Sequence, residues 1–268
     1  MSDKILNLHE RNKTQDIIHD TEILIYVEGT DILLHRLHNK VIVSGSAFTA
    51  AKHFNIKPNI WTPTYNTKLG IYTPTAEPYT EPGIRKDEIV CLFAIGTDGC
   101  GQENSQVYDV NYTKWIAPEN LIPFRYQQPT DDLNTAMRSK YFGRVATNSR
   151  IAYYFKKFES DPVFKQQYSD GTPIDENVYT DARLDEVESF VEISLKITKE
   201  DCRDFFLATT GINSARVNTI SLLTGWSSVD GDGFTYYHDI RPLTKLNFPN
   251  ESLIDTSKGL DIIYHIYY

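Results

Sequence analysis

One run limits most strongly what this chain can fold into. Val191, Ile193, Leu195 and Ile197 alternate with Glu192, Ser194, Lys196 and Thr198. Successive strand residues point to opposite faces, so this period of two predicts a half-buried strand with one wet face. Residues 21–45 predict two or three further strands, with Glu28-Gly29-Thr30-Asp31 as a turn. In the first of them Ile23, Ile25 and Val27 alternate with Leu24 and Tyr26, so both faces are apolar and the strand is expected to be largely buried. More strands are expected at 88–95, 106–115, 151–158, 216–223, 234–240 and 260–268. The last of these, LDIIYHIYY, is so apolar that it must pair within a sheet or with a partner. The chain has 17 Tyr and 13 Phe against 2 Met, and aromatic side chains suit pleated, half-buried surfaces. An AT-rich coding bias would produce the same Tyr excess.

Helices are expected to be few and short. Ser46 is placed to cap one that Asn55 or Pro58 closes. Residues 131–142 predict a second, with Asp131 as N-cap and Gly143 as stop. Thr198-Lys199-Glu200-Asp201 resembles a capping box and predicts a third helix through Phe206. Residues 57–83 hold Pro58, Pro63, Pro74, Pro78 and Pro82. Proline lacks a ladder donor, so this stretch is expected to be an extended arm or a surface loop, not a helix or central strand. Residues 169–186 are acidic and polar and read as a loop. The fold class is therefore mainly β with a few short helices (α+β), antiparallel sheets and long Pro-rich extended loops. Gln127-Gln128-Pro129 is a candidate boundary between an N-terminal β-rich region with an extended arm (1–128) and a C-terminal β-rich subdomain (129–268).

Composition narrows the function. Lys plus Arg is 27 and Asp plus Glu is 36, a net charge of −9. That balance argues against a general nucleic-acid surface, which needs clustered basic charge. No apolar run approaches the roughly 18–20 residues that span a bilayer, so no membrane partner is expected. The opening residues show neither an apolar core nor a small-residue cleavage site, so no signal peptide is expected. Cys91, Cys100 and Cys202 lack C-x-x-C spacing and read as reduced structural thiols, with a Cys91–Cys100 bridge as the rival reading.

Few residues suggest chemistry. Asp230 and Asp232 would take the third and fifth places of a calcium loop, Gly233 the turn place and Asp239 the twelfth. Ser228 stands where the first acidic ligand belongs, and Asp239 is shorter than the usual bidentate Glu. The same segment also reads as a Gly-rich β-turn. The seven histidines form no H-E-x-x-H pattern, and His35 and His38, three apart on a strand, should face opposite ways. The loop Gly96–Gly101 is Gly-rich without the Lys-Ser/Thr of a phosphate loop. Asp87-Glu88 and Asp131-Asp132 are sequence neighbours, and acid–base pairs must instead face each other across a cleft. No nucleophile has an identifiable base. The chain is therefore read as non-enzymatic, with no cofactor. Trp61 and Trp115 could stack on a sugar if exposed, or pack in a core.

The last 80 residues carry a resemblance. FVEISLKIT leads through KEDCRDFF to ARVNTISLLTGW, then DGFTYYHDIRPLTKLN and a closing LDIIYHIYY. This order resembles the C-terminal part of baseplate wedge subunits of contractile-tailed bacteriophages, with Arg216, Ile220, Ser221, Arg241 and Pro242 at the matching positions. The resemblance implies a structural virion protein of a tail baseplate, made in the host cytoplasm and located in the virion. Its partners would be other virion proteins and copies of itself, held through strand edges, arms and aromatic contacts. A neck, head–tail connector or capsid-associated protein is the neighbouring reading. A carbohydrate-binding β-domain or an uncharacterised enzyme is the third.

Overall fold

The computed structural model describes residues 20–38, 40–41, 62–65, 74–77, 88–101, 106–108, 120–173, 187–231, 233–253 and 259–267. In chain order the elements are β1 (Asp20–Val27), β2 (Leu33–His38), β3 (Lys40–Val41), β4 (Thr62–Tyr65), β5 (Pro74–Glu77) and β6 (Ile89–Gly96). Next come β7 (Leu121–Ile122), β8 (Arg125–Gln127), α1 (Thr135–Arg138), β9 (Tyr141–Ala146), β10 (Ile151–Lys157) and β11 (Val163–Tyr168). The chain closes with β12 (Val187–Ile197), α2 (Arg203–Ala208), β13 (Arg216–Val229), β14 (Thr235–Ser252) and β15 (Leu260–Tyr267). The fold is mainly β, and every strand pair among the described residues is antiparallel.

The strands form two sheets. One has five strands in the order β11-β12-β15-β1-β2. The other has ten, along the path β5-β4-β14-β13-β6-β10-β8, with β3 on β14, β7 on β6 and β9 on β10. The apolar last strand is tied down inside the protein. Tyr264 of β15 pairs with Ile23 of β1 on one side and Ile193 of β12 on the other, and Ile262 likewise pairs with Ile25 and Leu195. All six side chains are buried. They meet Phe93, Ile95, Val217, Ile220, Leu222, Leu246 and Phe248 of the larger sheet in one core cluster. Full burial of such side chains is worth about 1.5–3 kcal/mol each, and this cluster holds the sheets face to face. Strands from both sides of Gln128 contribute to each sheet: β15 joins β1 to β12, and β13 joins β6 to β14.

The alternating run is β12. Ile193, Leu195 and Ile197 are buried, while Glu192, Ser194 and Lys196 are partly exposed. The larger sheet has a second apolar cluster on Cys91, Leu92, Ala94, Phe142, Phe155, Leu223 and Ile240. β13 and β14 make a long hairpin whose register shifts at Val217/Thr219, Leu222/Leu223 and Thr224/Trp226. Such bulges bend and twist a long pair.

The expected helix over 131–142 is mostly absent. Pro129–Asp131 is a 3₁₀ turn, α1 spans four residues, and Asn134, not Asp131, caps it by accepting the Met137 N–H at 3.0 Å. From Tyr141 the chain is strand, paired with β10 from Tyr141↔Lys156 to Ala146↔Ile151. Gly143 lies inside that strand at φ +67 instead of ending a helix. The apolar positions of 133–142 make no continuous helical stripe, and pairing with β10 buries Tyr141 and Phe142 instead.

The other helix begins at Arg203, after Cys202 in a left-handed conformation at φ +66. Only half of the expected capping box forms there. Asp201 Oδ2 accepts the Thr198 N–H at 2.8 Å, while the buried Thr198 hydroxyl has no partner among the described residues.

Within the Pro-rich stretch, β4 and β5 pair with each other, and β4 meets β14 through Tyr65↔Ile240 at the margin of the larger sheet. The arm at 1–19, the helix expected after Ser46, the 109–115 strand and residues 174–186 lie outside the described residues. β6 is flanked by β13 and β10, and nearby a single bridge joins Cys100 to Val107.

Candidate functional site

The densest polar arrangement beside an open cleft centres on Asp132. This residue is extended (φ −59, ψ 153) between the 3₁₀ turn and α1, which points its carboxylate back toward β9 and β10. Oδ1 accepts the Tyr153 hydroxyl at 2.6 Å and the Leu133 N–H at 2.8 Å. Oδ2 accepts Arg138 Nη2, and Arg144 through Nε at 3.1 Å and Nη2 at 3.0 Å. Burial alone would push this carboxyl up, but the Tyr153, Arg138 and Leu133 hydrogen bonds and the Arg144 charge outweigh it and hold the group below the usual range. Burial, then the neighbouring carboxylate, pushes the Tyr153 phenol up to about 12.

The two guanidiniums border a cleft of about 60 Å³, walled by Phe142, Tyr153, Phe234 and Tyr237 among others. The Arg138 guanidinium carbon stands 4.8 Å over the Phe234 ring, and Phe142 meets Tyr237 edge-on at 4.8 Å. The cleft therefore combines aromatic walls with two cations that share one carboxylate.

A second cluster is buried and structural. Asp201, with a fully buried side chain, accepts Lys156 Nζ at 2.7 Å and the Tyr141 hydroxyl at 2.7 Å. Lys156 also donates to the Lys196 carbonyl at 2.7 Å, and Arg125 donates to the Tyr141 hydroxyl at 2.8 Å. These bonds tie β10 to the turn before α2 and satisfy charges that would otherwise be very costly to bury. Glu88 and Arg241 form another buried pair at 2.7 Å, between the start of β6 and β14.

The five-stranded sheet offers edges. β2 and β11 each have one partner strand among the described residues. Exposed apolar side chains lie along both: Ile32 (61%) just before β2 and Leu33 (42%) at its start, and Val163 (48%) and Phe164 (63%) on β11. Phe164 pairs with Val191 and so shares the inward face of Ile193, yet it stands in solvent. On the opposite face His265 lies between two carboxylates, 3.1 Å from Glu192 and 3.7 Å from Glu22. Burial would raise the Glu192 carboxyl, but Lys165 and His265 hold it low.

The residues singled out in the sequence fall as follows. Asp230 closes the β13–β14 turn: its carboxylate accepts the Phe234 N–H at 2.9 Å, and its own N–H donates to the Phe234 carbonyl at 3.0 Å. Gly233 there has φ +80, as a Gly-rich turn requires. Asp239 accepts the Trp226 indole N–H at 2.8 Å. Asp239 lies four residue steps along the strand from Thr235 at the hairpin end, roughly 13 Å at a strand's rise, so Asp230 and Asp239 are not brought together. Asp232 lies outside the described residues. His35 meets Glu251 at 2.5 Å, bridging the two sheets at their rim. All three cysteines are free and buried, so the Cys91–Cys100 bridge is absent. Asp131-Asp132 divides its roles, with Asp131 in the 3₁₀ turn and Asp132 in the cation cluster. Trp61 and Trp115 lie outside the described residues.

Sequence reasoning missed the Arg138–Arg144–Tyr153–Phe234 cleft. Its parts come from α1, β9, β10 and the β13–β14 turn, and the only local signal was an Asp shortly before two arginines.

No family model matches this chain, and no curated protein or solved structure matches it. No helix among the described residues is long and apolar enough to cross a membrane.

Proposed function

We propose that this chain is a structural subunit of a bacteriophage virion, most specifically a wedge subunit of a tail baseplate. It would hold neighbouring subunits through strand edges and aromatic contacts. One observation carries the reading: both margins of the five-stranded sheet leave large apolar side chains in solvent, with Phe164 63% exposed on β11 and Ile32 61% exposed beside β2. Such edges invite pairing with another chain, and soluble monomers usually blunt them. The resemblance of residues 189–268 to wedge subunits points the same way.

The test is electron microscopy of purified virions carrying a tagged copy of the chain. Label at the tail tip is the expected result. Label at the neck or capsid would keep a virion role and remove the wedge. Absence of the chain from particles, with the protein present in the lysate, would remove the structural reading.

A further inference from the structure

We propose that the cleft between α1, β9 and the start of β14 binds a small organic carboxylate, held by Arg138 and Arg144 against the aromatic walls. This goes beyond a structural role and does not depend on one.

The first argument is charge. Among the described residues two guanidiniums meet a single carboxylate, Asp132, which leaves one positive charge beside the cleft without a carboxylate partner. Both Nη2 atoms reach the same Oδ2, so the two forks converge on one point. The second argument is unused donor capacity. A guanidinium has five N–H donors. Arg144 directs Nε and Nη2 to Asp132, its Nη1 has no hydrogen bond among the described residues, and its side chain is 40% exposed. The Nε of Arg138 is enclosed by protein and has no acceptor among the described residues. The exposed fork of Arg144 is therefore the donor suited to take an acceptor in the cleft, whereas the enclosed Arg138 Nε cannot reach one there.

The third argument is shape and polarity. About 60 Å³ accommodates a few waters or a carboxylate head group, and since enclosing benzene takes roughly 150 Å³, an attached ring would rest on the aromatic walls at the open side. Phe234, Phe142 and Tyr237 supply apolar contact on the walls. Planar guanidiniums match a carboxylate bidentately. One unmatched charge suits a monoanion, whereas a phosphate would bring a second negative charge up to Asp132.

The test is calorimetric titration of the full chain with benzoate, acetate and inorganic phosphate. Benzoate is expected to bind saturably at one site and more tightly than acetate. Arg144→Gln keeps Arg138 on Asp132, and it is expected to weaken benzoate by about tenfold or more through loss of a charge-assisted pair. Arg150→Gln, outside the cleft, is expected to leave it unchanged. Phe234→Ala should narrow the preference for benzoate over acetate. A variant that loses its fold would be seen by its far-ultraviolet dichroism, and Arg144→Lys, which keeps the charge without the fork, would then replace it. Linear uptake without saturation, equal affinity in the Arg144 variant, or tighter binding of phosphate than of benzoate would overturn the proposal.

Discussion

Gly143 shows what a single residue decides. It adopts φ +67 within β9, and a Cβ built there would lie 2.5 Å from Phe155 Cδ2. A left-handed conformation and a ring packed onto the backbone both require glycine. Gly143→Ala is expected to cost about 3 kcal/mol, combining conformational strain with overpacking, read as a lower midpoint in urea unfolding. Asp201 presents the opposite case, a polar group that burial makes indispensable. Asp201→Ala strands the Lys156 ammonium, whose side chain is 5% exposed, and should cost about 3–5 kcal/mol. Adding Lys156→Met to that variant should recover much of the loss. Equal losses in the single and double variants would mean that the ion pair is not what Asp201 contributes.

Among the elements, β15 stitches the smaller sheet together. Ile263 pairs at once with Leu24 and Ser194, so proline there removes a ladder donor in a central strand. Ile263→Pro is expected to destabilise by about 3 kcal/mol or more, visible as a collapsed thermal transition. β11 should behave differently because it is an edge. Phe164→Lys should change stability by less than about 0.5 kcal/mol and reduce self-association in sedimentation velocity. Unchanged association would remove that edge as a contact. The same contrast explains which strands could be read in advance. β12 and β15 are legible because burial differs sharply between their faces or is nearly complete. β11 was missed because Val163, Phe164 and Lys165 are all exposed, so no face stands out. β14 runs well past its expected end because Arg241, Thr244, Lys245 and Asn247 are buried polar residues that erase the hydrophobic pattern.

At the scale of the molecule, titrating groups set the pH range of the fold. Asp132, Glu28 and Glu192 have carboxyls held below their ordinary values of 3.8 and 4.5: burial opposes this, and hydrogen bonds and cations prevail. A depressed carboxyl contributes stability above its unfolded value, and that contribution is lost as pH falls through the folded one. Stability should therefore start to fall as pH drops below 4.5. On the alkaline side burial raises Tyr237, and burial with the Asp132 charge raises Tyr153, each from 10.0 to about 12. Their stabilisation is complete below pH 10.0 and declines as pH rises from there toward 12. Melting temperature measured against pH, with tyrosinate absorbance on the alkaline limb, checks both ends. A melting temperature that stays flat through the carboxylate range would mean that these ion pairs do not stabilise the fold.

The sequence by itself determined that the chain is built of strands, and where several of them lie. Period-two alternation and apolar runs are local signals of how much of a strand's surface must leave water, and they mark β1, β6, β10, β12 and β15. Only the tertiary structure decided which strands are neighbours, and that the last strand lies between the first and β12. Pairing depends on complementarity between segments more than 200 residues apart. The cleft belongs to the same category. Asp132, Arg138, Arg144, Tyr153 and Phe234 have no shared spacing, and their charges and rings meet because two strands and a hairpin turn converge in space.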